Sequence, residues 1–283
     1  MLIFKKVADL QRWLGAERRA GKRAGFVPTM GALHHGHLSL VHAAKAECER
    51  VVASIFVNPT QFNDPKDLEK YPRMPGQDIA LLTSAYCDAL FMPPVEEVYP
   101  PGRNLTLHLD FGRLEQVMEG RFRPGHFSGM ATVVHRLLDI VQPDRLYMGQ
   151  KDFQQLCIVR DMLRQLQSPV GLVMCPTMRE ADGLAMSSRN LRLSPAMRGA
   201  APAIYRALQA AKNEFVQGST AAGVQAQALN YLHTAGLQPE YFDIVDGVTL
   251  EPVQGYADAA FIVACAAAWA GDVRLIDNEV LKP

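Results

Sequence analysis

Three histidines fall within four positions of "GALHHGH" at 31–37, with Gly31 and Gly36 beside them. Placed between a strand and a helix, such a group suits a phosphate chain. The free N–H groups and positive end of a helix attract anions, and imidazoles can hydrogen-bond to them or exchange protons with them. Glycines let a ligand or another backbone come close. Two further readings stand beside this one. His37 can be a capping or core histidine. His34 and His37 can also supply two ligands to zinc, but zinc needs a third, and no Cys, Asp or Glu nearby has ligand spacing. A protein-held metal is therefore not expected, and His35 is expected to face solvent.

Three other clusters carry groups of the same kind: "NPTQF" at 58–62, "GQKDFQQ" at 149–155 and "MREADGLAMSSRN" at 178–190. Lys151 can neutralise phosphate, since opposite charges about 4 Å apart are worth roughly 4 kcal/mol at a surface-like dielectric. Asp152 is placed to cap the helix that follows. Ser187, Ser188 and Arg189 bring two hydroxyls and a guanidinium into one loop. Taken singly, each has a plain alternative: a solvated lysine, a cap, a polar turn. Residues 15–22 only imitate a P-loop, because Arg23 stands where Ser or Thr is needed. No G-x-G-x-x-G occurs, so a nicotinamide dinucleotide is not indicated.

These groups need a scaffold. "AGFVPT" at 24–29 and "VVASIFV" at 51–57 read as buried strands, being nearly all apolar. Between them a helical pattern runs over 36–50, with His37, Val41, Ala44 and Cys48 on one face. That is a βαβ unit. Further strands are expected at 88–93, 144–149 and 170–176, and helices near 130–141 and 152–166. The alternation predicts an α/β fold, a Rossmann-like parallel sheet with helices on both faces. Each polar cluster then follows a strand, on the rim where open α/β sheets bind ligands. Pro-rich stretches at 58–77 and 93–104 read as long loops. After residue 180 the pattern changes. Ser194-Pro195 opens a helix, and Ile204, Leu208, Ala211 and Phe215 form a helical stripe. Strands are expected at 240–246, 259–267 and 273–277. Residues 1–177 therefore read as the main domain and 178–283 as a smaller α+β domain.

The bulk numbers agree. In 283 residues, 29 basic and 29 acidic side chains cancel, so a basic face for nucleic acid is not expected. No run reaches about 18 apolar residues, and no membrane span is expected. The N-terminus does not resemble a secretory signal. Five scattered cysteines without a Cys-x-x-Cys pair suit reduced thiols in the cytoplasm.

His-x-Gly-His after the first strand of a βαβ unit, with a Ser/Arg loop after a late strand, resembles the nucleotidyltransferase superfamily. "VPTMGALHHGH", "IFVNPTQF", "YPR", "EGRFRPGHF", "GQKDFQQ" and "DGLAMSSRN", in this order, narrow the resemblance to the pantothenate synthetase family. The tail "WAGDVRLIDN" at 269–278 is also similar. The resemblance implies an ATP-dependent ligase. Its substrates are (R)-pantoate, β-alanine and ATP, its intermediate is pantoyl adenylate, and its products are pantothenate, AMP and diphosphate.

By motif, residues 30–37, including Met30 and Gly31, would line the ATP site, with His34 and His37 on the phosphates and His37 a proton donor. Gly149, Gln150, Lys151 and Asp152 would bind ATP, Asp152 at the ribose. Met178 would touch adenine, and Met186, Ser187, Ser188 and Arg189 would close over the triphosphate. His34, His37, Lys151 and Arg189 are the implied catalytic groups. Gln61 and Gln155, with Asn58, would hold pantoate and β-alanine, and Tyr71, Glu119, Arg123 and His126 would support the site. The family also implies Mg²⁺ with ATP, a homodimer, and a C-terminal domain that acts as a lid. His35 departs from the pattern, since that position is usually acidic. The rival readings are a nucleotidyltransferase that joins AMP to a phosphorylated acceptor, and a nucleotide- or RNA-binding module without chemistry.

Overall fold

The structure, a computed structural model, describes residues 1–59, 69 and 71–283. They form two compact units, Met1–Phe111 with Phe122–Gly149 and Ile158–Cys175, and Gly112–Arg121 with Gln150–Cys157 and Pro176–Pro283. Composition suggests a single cut after residue 177. The main boundary lies between Cys175 and Pro176, and two inner segments also go with the second unit. Side-chain bonds bind those segments to each other. Gln154 donates to the carbonyls of Leu114 and Val117, both at 2.8 Å, and accepts from the Glu119 N–H at 2.9 Å. A composition shift along the chain cannot register such ties.

The first unit contains β1 (Leu2–Phe4), α1 (Val7–Arg19), β2 (Ala24–Thr29), α2 (His35–Glu47), β3 (Arg50–Ile55), α3 (Pro75–Ser84), β4 (Ala89–Phe91) and α4 (Val95–Val98). After α5 (Met118–Phe122) come α6 (His126–Val141), β5 (Arg145–Gly149), α7 (Phe153–Gln165) and β6 (Gly171–Cys175). Helices α5 and α7 start in the second unit and finish in the first. Among the described residues, six strands make one parallel sheet in the order β1-β4-β3-β2-β5-β6. Val27, Val51, Ala53 and Leu90 meet Val41 and Ala44 of α2 and Leu82 of α3 in one buried cluster. Phe26 and Val52, also buried, point to the other face by alternation. Cover on both faces is why β2 and β3 read as unbroken apolar runs. β1, α1 and α3 go beyond the sequence reading; three residues are too few for β1 to show alternation.

The second unit adds α8 (Pro195–Ala200), α9 (Ala203–Val216), α10 (Ala221–Thr234), β7 (Gln238–Asp246), β8 (Ile262–Ala270) and β9 (Val273–Lys282). Ser194 caps α8 as expected, accepting from the Met197 N–H at 3.3 Å. Ile204, Leu208, Ala211 and Phe215 are all buried. The strands pair antiparallel in the order β7-β8-β9. Ile262, Ala264, Ala266 and Ala268 face α9 and α10, while Val263 and Cys265 pack with Met118, Phe153 and Cys157. β8 is covered on both sides, so no alternation marks its ends, and it begins three residues later than 259.

Candidate active site

The sheet order creates a switch point. From β2 the chain goes to β3 and β4 on one side, then returns to β5 and β6 on the other. Open α/β sheets take ligands beyond the carboxyl ends of the strands at such a point. Residues 30–37 leave β2 at that place, and Gly149 ends β5.

The histidines form the start of α2. His34 is its N-cap, and its Nδ1 accepts from the Gly36 N–H at 3.1 Å. His37 reaches back, its Nδ1 accepting from the His34 N–H at 3.3 Å. The two rings lie 4.1 Å apart, centroid to centroid. This is the logic of a capping box with imidazoles in place of Ser and Glu. It also chooses the tautomer. Both Nδ1 atoms act as acceptors, so the proton of each neutral ring sits on Nε2. The capping reading and the phosphate reading are therefore compatible, because the helix uses Nδ1 of each ring and a phosphate would use Nε2. Val41, Ala44 and Cys48 of the expected face are buried, His37 is half-buried, and His35 is exposed.

The loop before the helix is strained and held. Gly31 has φ +86 and Ala32 φ +51, the latter in a region L-residues seldom adopt. The buried carboxylate of Asp78 on α3 accepts from the N–H groups of Ala32 (3.0 Å) and Leu33 (2.7 Å). A Cβ on Gly31 would come within 3.1 Å of both Asp78 and Ile55. Thr29 Oγ1 accepts from the Gly31 N–H at 3.2 Å. These amides, with that of Gly36, are spent inside the protein, which leaves the imidazoles, more than the loop amides, as the candidate phosphate donors. Sequence reasoning missed Asp78. Its only signal was an acid in the first turn of a helix, which macrodipole compensation explains equally well.

Asn58 is 1% exposed; it donates to the Gly129 carbonyl at 3.4 Å and accepts from Tyr99 OH at 3.2 Å. It ties the end of β3 to α6. Arg123 and His126 meet at 3.2 Å where α6 begins. Tyr71 is half-buried. Gln61 lies outside the described residues.

In the second unit, Gln150–Asp152 make a 3-10 turn, and Lys151 sits 3.7 Å from Asp152. Glu119, expected only as a supporting residue, is the centre of a buried network. It receives both arms of Arg274 at 2.7 Å and Tyr241 OH at 2.8 Å, while Arg274 also pairs with Glu240 at 2.7 Å. Burial and then the Glu119 charge push the Tyr241 hydroxyl well above its usual range. For Arg274 burial works downward, but bonds to the two glutamates outweigh it and raise its value. Gln155 is half-buried on α7.

Residues 178–186 form a narrow hairpin. Met186 N–H donates to Met178 O at 2.9 Å, and Arg179 bridges Ala185. Arg179 grips Asp277 at 2.6 Å and lies 4.2 Å from the Tyr205 ring centre. Gly183 has φ +93, and a Cβ there would fall 2.1 Å from Tyr205 Cδ1, so only glycine fits. Met178 is exposed at the hairpin base, and Met186 is half-buried. Ser187 caps the next turn by accepting from the Arg189 N–H at 3.3 Å, with Ser188 and Arg189 half-buried behind it.

A doubly wound parallel sheet with a histidine-capped helix at its switch point defines a Rossmann-like, nucleotide-handling α/β protein. The pantoate-beta-alanine ligase family profile matches residues 2–280, and the chain belongs to that family. The pantothenate synthetase of Porphyromonas gingivalis is 49% identical over 280 residues, 98% of each chain. That of Thermotoga neapolitana is 46% identical over 283 residues, 99% of this chain and 100% of its own. The crystal structure of pantothenate synthetase from Thermus thermophilus superposes with a TM-score of 0.93 at 45% identity, covering 100% of both chains. The pantoate-beta-alanine ligase of Francisella tularensis, solved in complex with Beta-gamma ATP and beta-alanine, gives 0.82 at 34% identity, covering 99% of this chain and 98% of its own.

Proposed function

We propose that this chain joins (R)-pantoate to β-alanine at the expense of ATP, through an enzyme-bound pantoyl adenylate. The observation that carries this reading is the cross-capped His34–His37 pair at the switch point of a chain that matches the family over residues 2–280. A pantoate carboxylate oxygen bonds to the α-phosphorus of ATP, and the bond from that phosphorus to the diphosphate oxygen breaks. The β-alanine nitrogen then bonds to the acyl carbon. The acyl–oxygen bond breaks, AMP leaves with the electron pair, and the nitrogen loses a proton to solvent or base.

In-line displacement at phosphorus needs positioning and charge neutralisation more than a covalent partner. The Nε2–H groups of His34 and His37, the Lys151 ammonium and the Arg189 guanidinium take those roles in this proposal. Met30 and Gly31 line the nucleotide, Gly149, Gln150 and Asp152 its sugar and phosphates, Met178 its base, and Met186, Ser187 and Ser188 its triphosphate. Gln61 and Gln155 hold pantoate; uncharged amides can bond both hydroxyl and carboxylate oxygens. Asn58 acts by holding the end of β3, and Tyr71, Glu119, Arg123 and His126 support the loops.

Mg²⁺ fits as a companion of ATP. Among the described residues no group of three or more His, Cys, Asp or Glu forms a metal cage, so its ligands would be phosphate oxygens and water. Bound that way it would neutralise phosphate charge. Among the described residues, no helix is long and apolar enough to cross a membrane. The lid role of the second unit, the homodimer and the cytoplasmic setting belong to the same proposal.

The test is product analysis with each substrate omitted in turn. AMP, diphosphate and pantothenate together are the expected products. Release of ADP and phosphate would overturn the adenylate route. ATP consumption that ignores β-alanine would favour a nucleotidyltransferase acting on a phosphorylated acceptor.

A further inference from the structure

Asp277 and Asn278 are neighbours on β9, 4% and 2% exposed, and alternation sends their side chains to opposite sides of the strand. Asp277 takes Arg179 of the 178–186 hairpin through both oxygens, at 2.6 and 3.2 Å. The side chain of Asn278 bonds to residues 150 and 151. Its Nδ2 donates to the carbonyls of Gln150 and Lys151, both at 2.9 Å, and its Oδ1 accepts from the Gln150 amide at 3.0 Å.

Those two carbonyls have a particular meaning. The oxygen of Gln150 belongs to the rigid peptide plane before the Lys151 Cα, and the oxygen of Lys151 to the plane after it. One amide nitrogen thus pins both planes that flank Lys151, and with them its φ, its ψ and the direction of its Cα–Cβ bond. Neither Asp nor Leu can do this, since the first lacks donors and the second lacks polar atoms. We propose that Asn278 is the positioning residue for Lys151: it aims the ammonium at the ATP phosphates from a place in the chain with no phosphate-binding signature of its own. The proposal rests on Lys151 being an ATP ligand.

Asn278→Asp keeps the volume and the bond from Gln150 but turns two carbonyls toward a carboxylate. Its kcat/KM for ATP should fall about tenfold to a hundredfold, the scale expected when a reacting group is displaced by about 1 Å. The KM values for pantoate and β-alanine, measured at saturating ATP, should stay within about twofold. Asn278→Ser, which keeps one donor, should fall between that variant and the wild type. Binding of β,γ-methylene ATP by calorimetry should weaken in the same order, with melting temperature followed on the same samples. If both variants bind the analogue as the wild type does, the inference fails. It also fails if all three substrates weaken together in proportion to the loss in melting temperature, because the role is then structural. A wild-type protein that binds no ATP analogue would instead overturn the reading on which the inference rests.

Discussion

His34 and His37 cap each other at the start of α2: the Nδ1 of His37 accepts from the backbone N–H of His34, the Nδ1 of His34 caps Gly36, and the ring centres are 4.1 Å apart. The same bonds that begin the helix set both imidazoles as Nε2–H tautomers. Helix capping and the proposed donation to phosphate fall to separate atoms, and substitutions can part them.

His37→Ala should lose two or more orders of magnitude in turnover, as for removal of one electrostatic donor, and about 1 kcal/mol of stability with the cap. His37→Asn puts an acceptor near the Nδ1 position and nothing at Nε2. It should recover most of the stability and none of the rate. Steady-state AMP release and urea unfolding on both variants decide this. Near-normal turnover in His37→Asn would reduce His37 to a cap.

Asp78→Ala should cost stability and function together. Hydrogen bonds to a charged group contribute about 1.5–3 kcal/mol each, and two N–H groups lose their acceptor. With nothing to hold Ala32 at positive φ, the loop should relax. A loss of about 3–6 kcal/mol in urea unfolding is expected, with a raised KM for ATP. Unchanged ATP kinetics would show that the loop conformation does not matter to the nucleotide.

Gly183→Ala faces two obstacles at once, a positive φ and the ring of Tyr205. Backbone strain of about 1–2 kcal/mol and overpacking of about 1–3 kcal/mol should both appear in thermal or urea unfolding. Adding Tyr205→Ala to the glycine variant should relieve the overpacking part and leave the backbone part. A double variant no better than the single one would place the whole cost in the backbone.

Asp182 accepts a hydrogen bond from Arg198, and that bond holds its carboxyl below the usual carboxylate range. A value lower in the folded than in the unfolded chain stabilises above the unfolded value, about 4. That stabilisation is lost as pH falls through the folded value. Asp182→Asn should therefore flatten the acid limb of the stability–pH curve. At pH 7 it should cost no more than about 1 kcal/mol, because both side chains are more than a third exposed and solvent screens the pair. A variant whose acid limb matches the wild type would remove this pair from the account of acid unfolding.

Much of the scaffold was readable along the chain. β2 at 24–29 coincides with its apolar run, and β3 and α2 lie within a few residues of theirs, because a strand covered on both faces and a helix with one apolar stripe leave local periodic marks. The Ser194 cap and the Ile204–Leu208–Ala211–Phe215 stripe are local in the same sense. Short β1 and doubly covered β8 showed the limit, since three residues or an unbroken apolar run carry no usable period.

The chain's order of residues was enough to decide most of its longer elements, its family motifs and its candidate phosphate-binding side chains, because these depend on neighbours a few positions apart. It did not decide what holds those side chains still. Asp78 lies 45 and 46 positions from the amides it fixes, and Asn278 127 and 128 positions from the carbonyls it fixes. A carboxylate or an amide bonds whatever folding brings within about 3 Å, and nothing in its own stretch of sequence says what that will be.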